Sequence, residues 1–123
     1  AELLVHKAAA FLKKEGKEKA LPVFSDTKGP FTYRDLYVVA LDKDAVVLAH
    51  GTKKELIGKK DWDRKDADGK FFAREMVQTA MSQGKGWTEY KFQNPATGKV
   101  EQKVAYAERV GDVVVLCGAY KPM

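Results

Sequence analysis

The 123-residue chain has one cysteine, Cys117, two histidines, His6 and His50, and four prolines. A single cysteine excludes an internal disulfide and leaves the redox compartment unread. Neither histidine belongs to H-E-x-x-H or another zinc spacing, and no glycine-rich phosphate loop occurs. Cys117 sits inside an apolar run, where a packed thiol is expected rather than a nucleophile. No apolar stretch approaches the roughly 20 residues of a membrane-spanning helix. The opening residues lack a signal-peptide pattern, which fits a mature, trimmed or cytosolic chain, or a receptor piece without its membrane anchors. Repeats, low-complexity tracts and linkers are missing as well, so residues 1–123 are expected to form one domain.

What is there suits that domain: 45% hydrophobic residues, 32% charged and a formal charge of +5. The positive balance favours anionic partners without choosing among nucleic acid, lipid and small acids. The N-terminal stretch AELLVHKAAAFLKKEG spaces Leu4, Ala8, Phe11 and Leu12 along one helical face, with Gly16 as a stop. A shorter helical segment limited by Pro22 follows. DLYVVALD and AVVLAHG read as strands joined near Lys43 and Asp44, both apolar enough to be covered on two faces. Lys70 to Gln83 reads as a helix lined by Phe72, Met76, Val77 and Ala80 and ended by Gly84. GWTEYKF, KVEQKVAYAERV and VVVLCGAY then read as three strands, the last two joined at Gly111-Asp112. This order predicts an α+β domain built on a five-stranded antiparallel sheet.

RKDADGKFFARE, Arg64 to Glu75, nearly spells a calcium loop, but Arg64 stands where the first aspartate belongs and Lys65 and Lys70 flank it. A calcium ion needs converging oxygens rather than cations. The stretch is read instead as a turn into the next helix, with Asp66 or Asp68 accepting from the N–H groups of its first turn. KGWTEYKF, Lys85 to Phe92, partly matches an RNA-binding strand, yet Glu89 occupies a stacking position and the lysines are scattered in pairs. No nucleic-acid partner is expected. No nucleophile–base pair is visible, so no enzyme is expected, and no cofactor or metal.

Polar residues embedded in apolar strands remain. His50 closes VVLAH and Tyr37 lies inside LYVVAL. On strand alternation Lys103 shares a face with Ala105 and Ala107. A long cation beside two small side chains leaves room for a bound molecule. Equally, the alanines could admit a close helix while Lys103 reaches to solvent.

Taken in order, AAAFLKKEGKEKALPVFSD, FTYRDLYVVALD, LAHGTKKELIGKKDWDRKDADGKFFARE, GKGWTEYKFQNPATGKVEQK and AYAERVGDVVVLCGAY resemble the single Cache domain, type 2. The resemblance implies one PAS-like sensor domain over 1–123, with a long N-terminal helix, a second helix after the second strand, and a pocket between sheet and distal cover. It implies a periplasmic or other extracytoplasmic setting in bacterial chemotaxis or signal transduction. It also implies reversible binding of a small organic anion such as acetate, propionate, pyruvate or lactate, and homodimers through the N-terminal helix. Matching positions make Tyr37, His50, Trp87, Tyr90, Lys103 and Tyr106 the expected ligand-binding residues. One departure is Ala45, where the family often has glycine; another is Pro22.

The chemistry suits that set. A buried carboxylate needs a matching charge and donors. Lys103 supplies charge, His50 a donor and a second charge if protonated, and the tyrosines neutral donors; Trp87 and the alanine methyls suit a short alkyl tail. The alternative is an interaction module whose pocket is filled by its own side chains, acting through dimerisation or a partner protein.

Overall fold

The computed structural model describes residues 2–26, 28–33, 36–66, 68–93 and 97–120. Helix α1, Glu2–Glu15, buries Val5, Ala8, Ala9 and Leu12. Leu4 and Phe11 are only partly buried, so the stripe lies slightly to one side of the face read from the spacing. Gly16 takes a φ of 82°, and its N–H donates to the Leu12 carbonyl at 2.9 Å, closing the helix. Helix α2, Lys17–Phe24, follows at once; Pro22 lies inside it and the helix ends two residues later.

The first predicted strand is split. Strands β1, Thr32–Tyr33, and β2, Leu36–Tyr37, form a separate two-stranded ribbon, and β3, Val39–Asp42, begins after Val38. Gly51 N–H donates to the Val38 carbonyl at 3.0 Å, carrying the β3–β4 pairing one residue beyond β3. The main sheet holds β3, β4 (Val47–His50), β5 (Lys85–Gln93), β6 (Val100–Val110) and β7 (Val113–Tyr120), in the order β4-β3-β7-β6-β5 with every pairing antiparallel. This is the α+β, PAS-like fold expected.

Helices α1 and α2 pack on one face, where Phe24, Phe31, Val113, Val115, Cys117 and Tyr106 form a dense layer. Helix α3, Phe72–Gln83, packs on the other with Ala73, Met76, Val77 and Ala80 against Ala105, Ala107 and Val114. Period-two alternation along β6 and β7 separates these layers. Helix α3 stops at Gly84 in the left-handed region, whose N–H donates to the Ala80 carbonyl at 2.8 Å.

Between β4 and α3 the chain crosses the α3 side of the sheet from one edge strand to the other. At the β4 edge, Val47 N–H donates to Lys59 O at 2.9 Å, Gly58 N–H to Val47 O at 2.8 Å and Asp61 N–H to Ala45 O at 2.9 Å. At the β5 edge, Asp66 accepts from the N–H groups of Asp68 and Lys70 through Oδ1 and of Lys91 through Oδ2, each at 2.9 Å. Asp66 is thus a clasp between this cover and β5 rather than the helix cap expected, and Asp68 makes an ion pair with Lys91 instead. The residue preceding α3, Phe71, makes no side-chain cap bond, and the helix begins at Phe72 rather than Lys70. Arg74 fixes the cover from α3, donating to Trp62 O at 3.2 Å and to Asp63 at 2.7 Å.

Candidate functional site

Beneath this cover lies a cavity of about 80 Å³. A void of about 10–15 Å³ suffices for one water, so the space suits a handful of non-hydrogen atoms. Its apolar wall includes Val39, Leu41, Val47, Met76 and Leu116, closed by Phe72 stacked on Tyr90 with ring centroids 4.6 Å apart. Its polar groups are Tyr37, His50, Asp61, Arg64, Tyr90 and Lys103.

Four of the six expected residues therefore meet there. Lys103 is only 7% exposed and its Nζ lies 5.1 Å from the centre of the Phe92 ring and 5.7 Å from that of Tyr37. Tyr90 faces it directly, since the two are register partners across β5 and β6. Lys103 can lie flat along the sheet because Gly118 on β7 has no side chain; a methyl there would stand 2.7 Å from Lys103 Cε and 3.3 Å from the Tyr90 hydroxyl. Gly51 does the same for Tyr37, whose Cβ would be 2.8 Å from an added methyl. These close approaches explain the glycines of LAHG and of the closing G-x-Y. Tyr37 then rests on His50, ring centroids 5.0 Å apart, and burial raises its phenol above the ordinary value.

His50 is held at both ends. Its backbone N–H donates to Ser25 Oγ at 3.2 Å, and its Nδ1 accepts from Lys53 N–H at 2.9 Å and Thr52 N–H at 3.2 Å. An Nδ1 that accepts two bonds carries no proton, so the neutral ring bears its hydrogen on Nε2. Burial, with Lys53 and Lys103 adding repulsion, pushes the ring down to about 4. His50 therefore presents a neutral Nε2–H donor and not the charge considered for it.

Trp87 and Tyr106 are not brought to the cavity. They are register partners, each three residues along its strand from Tyr90 and Lys103, so alternation turns them to the α1 face. Tyr106 is buried in the α1 layer and donates to Glu108 at 2.9 Å; burial and that carboxylate push its phenol up to about 12. Trp87 is half exposed beside it.

A second cation lining the cavity is Arg64. Its guanidinium lies 5.3 Å from the Phe92 ring centre and 5.7 Å from that of Phe72, so Phe92 has Lys103 and Arg64 as cationic neighbours. Arg64 pairs with Asp61 at 3.8 Å at the more open side of the cavity. Burial raises the Asp61 carboxyl above its usual range, against the pull of Arg64 and Lys59. The signal for Arg64 stood in the sequence as the cation that spoiled the calcium pattern. Among the described residues no cluster of three or more His, Cys, Asp or Glu could hold a metal ion, and no helix is long and apolar enough to cross a membrane.

Comparison with solved structures returns the same architecture. A methyl-accepting chemotaxis protein from Vibrio parahaemolyticus aligns at TM-score 0.80 with 21% identity, over 97% of this chain and 84% of that one. A periplasmic sensor domain of a chemotaxis protein aligns at 0.75 with 21% identity, over 98% and 88%. A Cache chemosensory domain whose structure describes carboxylic acid recognition aligns at 0.74 with 20% identity, over 97% and 84%. No curated protein sequence matches the chain. The family profile of Single Cache domain 2 matches residues 7–121. The chain therefore belongs to the Single Cache domain 2 family, a family of extracytoplasmic sensor domains and not of enzymes.

Proposed function

We propose that the chain is the ligand-binding part of a chemotaxis or signal-transduction sensor and reversibly binds a small organic monocarboxylate, of the acetate, propionate, pyruvate or lactate class. The observation that carries this reading is the buried ammonium of Lys103 at a cavity that also receives Arg64, the hydroxyls of Tyr37 and Tyr90, and His50 as a neutral donor. A carboxylate there gains two cations and several donors in one partly enclosed place, where charge-assisted bonds are stronger than in water. The apolar wall of Val39, Leu41, Met76 and Leu116 accepts a short carbon tail, and the volume excludes a drug-sized ligand. The carboxylic acid recognition described for one structural relative agrees with this chemistry. A self-filled interaction module is less well supported, because the hollow lies where the cation is.

Isothermal calorimetry with acetate, propionate, pyruvate and lactate tests the reading. At least one acid should bind at micromolar to low-millimolar concentration, and Lys103→Met should weaken it at least about tenfold, or ~1.4 kcal/mol. The absence of binding by all four acids, or an unchanged affinity in Lys103→Met, rejects the site.

A further inference from the structure

Asp61 is the one carboxylate among the described residues that line the cavity, and a carboxylate binder has no evident use for it. Its position is imposed by the fold: the Asp61 N–H donates to Ala45 O at 2.9 Å and its carbonyl accepts from the Arg64 N–H at 3.1 Å, which ties this corner of the cover to the β4 edge. Its side chain is 23% exposed and its Oδ2 stands 3.8 Å from Arg64, an ion pair too long to be a hydrogen bond. An ionised carboxyl group only accepts, so it retains places for a ligand donor.

The polar groups divide by role. Lys103, Arg64 and the Nε2–H of His50 only donate, and the hydroxyls of Tyr37 and Tyr90 can also donate; Asp61 only accepts. The Arg64 guanidinium lies 3.8 Å from Asp61 Oδ2 and 5.3 Å from the centre of the Phe92 ring, which Lys103 Nζ approaches to 5.1 Å. Asp61 is thus the neighbour of Arg64, and Arg64 shares Phe92 with Lys103. A ligand that fills both ends carries a carboxylate at one and a hydrogen-bond donor at the other.

Charge decides which donor. Two cations and one anion leave the lining with a net charge of +1 when His50 is neutral. A zwitterionic amino acid leaves that charge unmatched, and a dicarboxylate overshoots it and sets its second carboxylate against Asp61. A monocarboxylate bearing a hydroxyl balances the charge and satisfies Asp61 together. Resting on the carboxylate-site reading above, we propose that Asp61 is the specificity-determining residue of this site, accepting the hydroxyl proton of a short hydroxy-monocarboxylate and discriminating against the corresponding keto and unsubstituted acids. A keto oxygen would face Asp61 acceptor to acceptor, and a plain alkyl group would leave the carboxylate half-buried without a donor. A site built to bond a hydroxyl discriminates strongly against analogues that lack it.

The experiment is calorimetry of wild type, Asp61→Asn and Asp61→Leu with lactate, pyruvate and propionate, acids of equal carbon number that differ at one position. Wild type should bind lactate at least about tenfold tighter than either other acid, about 1.4 kcal/mol. In Asp61→Leu the preference should shrink to about threefold or less, roughly 0.7 kcal/mol. In Asp61→Asn, whose amide can donate to a keto oxygen, pyruvate should gain on lactate. Should wild type bind the three acids equally, or should the preference survive both substitutions, the role of Asp61 is overturned while the carboxylate site stands. Should no acid bind wild type, both readings fall together. The wild-type series needs no variant, so a misfolded substitution does not shield the proposal.

Discussion

The pH dependence of stability isolates His50. Its ring is held at about 4, against 6.5 for a free histidine. A difference of that size corresponds to ~3 kcal/mol of preference for the neutral ring in the folded state. Solvent reaches the cavity beside Arg64, and screening brings the expected contribution down to ~1–2 kcal/mol. The sign follows from the depression. As pH falls, the unfolded chain takes up the proton near 6.5 while the folded chain resists until about 4, so stability is lost across that window and is untouched above it. The structural cost is specific: a proton on Nδ1 would face the N–H groups of Thr52 and Lys53, two donors that now bond to it.

Urea unfolding of wild type and His50→Gln at pH 7.5 and 4.5 measures this. The variant should be less stable at pH 7.5, and its loss between the two pH values should be smaller than that of wild type by ~1–2 kcal/mol, since carboxylates common to both proteins cancel in the comparison. Ring NMR should place His50 well below 6.5, with the Nε2–H tautomer at neutral pH. Carboxylate affinity should accordingly stay flat from pH 7 to 5, whereas a charged histidine in the site would strengthen binding as pH falls through 6.5. A ring titrating near 6.5, or parallel stability profiles for the two proteins, would refute the reasoning.

Three further substitutions probe the frame of the site. Gly118→Ala should push the Lys103 stem, 2.7 Å from the new methyl, out of place; because that stem is flexible the fold should lose only ~1 kcal/mol by urea unfolding while acid affinity in calorimetry falls at least about tenfold. Ala45→Gly should change stability by less than ~1 kcal/mol, because relief of its φ of 61° offsets the lost buried methyl, whereas Ala107→Gly in a regular strand should cost ~1–2 kcal/mol in the same assay. Asp66→Ala removes the acceptor of three backbone N–H groups and should cost ~1–2 kcal/mol and raise amide exchange at Lys91 and Lys70; the carboxyl is held below its usual range, backbone donors outweighing burial, so this contribution is present above about pH 4 and fades as pH falls further.

Much of the fold could be read because it rests on long periodic segments. Alternation along β6 put Lys103 with Ala105 and Ala107, and those three do share a layer. The same rule separates Lys103 from Tyr106 and Tyr90 from Trp87, each pair being three residues apart on one strand. Motif resemblance collected these residues without assigning them a face, which is how two residues of the α1 side of the sheet entered the expected site. The ribbon of β1 and β2 was illegible because two-residue strands have no period. The cover was illegible for a related reason: Arg64 and Asp61 reach the cavity through backbone bonds to the β4 edge, a tertiary circumstance with no local pattern. Ala45 was visible as a departure, and the chain there keeps the left-handed turn and bears the strain.

The division between sheet and cover bears on how the domain could report a ligand. Tyr37, His50, Tyr90 and Lys103 stand on strands or directly at their ends, in positions set by register. Asp61 and Arg64 stand on a crossing segment held by few bonds, at the β4 edge on one side and at Asp66 and Arg74 on the other. A void of about 80 Å³ between the two leaves them without packing contact there. A carboxylate that touches Lys103 from the sheet and Arg64 from the cover restores contact and adds a charge bridge between layers that otherwise meet loosely. Because the sheet is stapled by long antiparallel ladders, the carboxylate proposed above would act mainly on the cover. Under that proposal, ligand specificity and the capacity to change shape would reside in the same short segment, with Arg64 and Asp61 as its two working side chains.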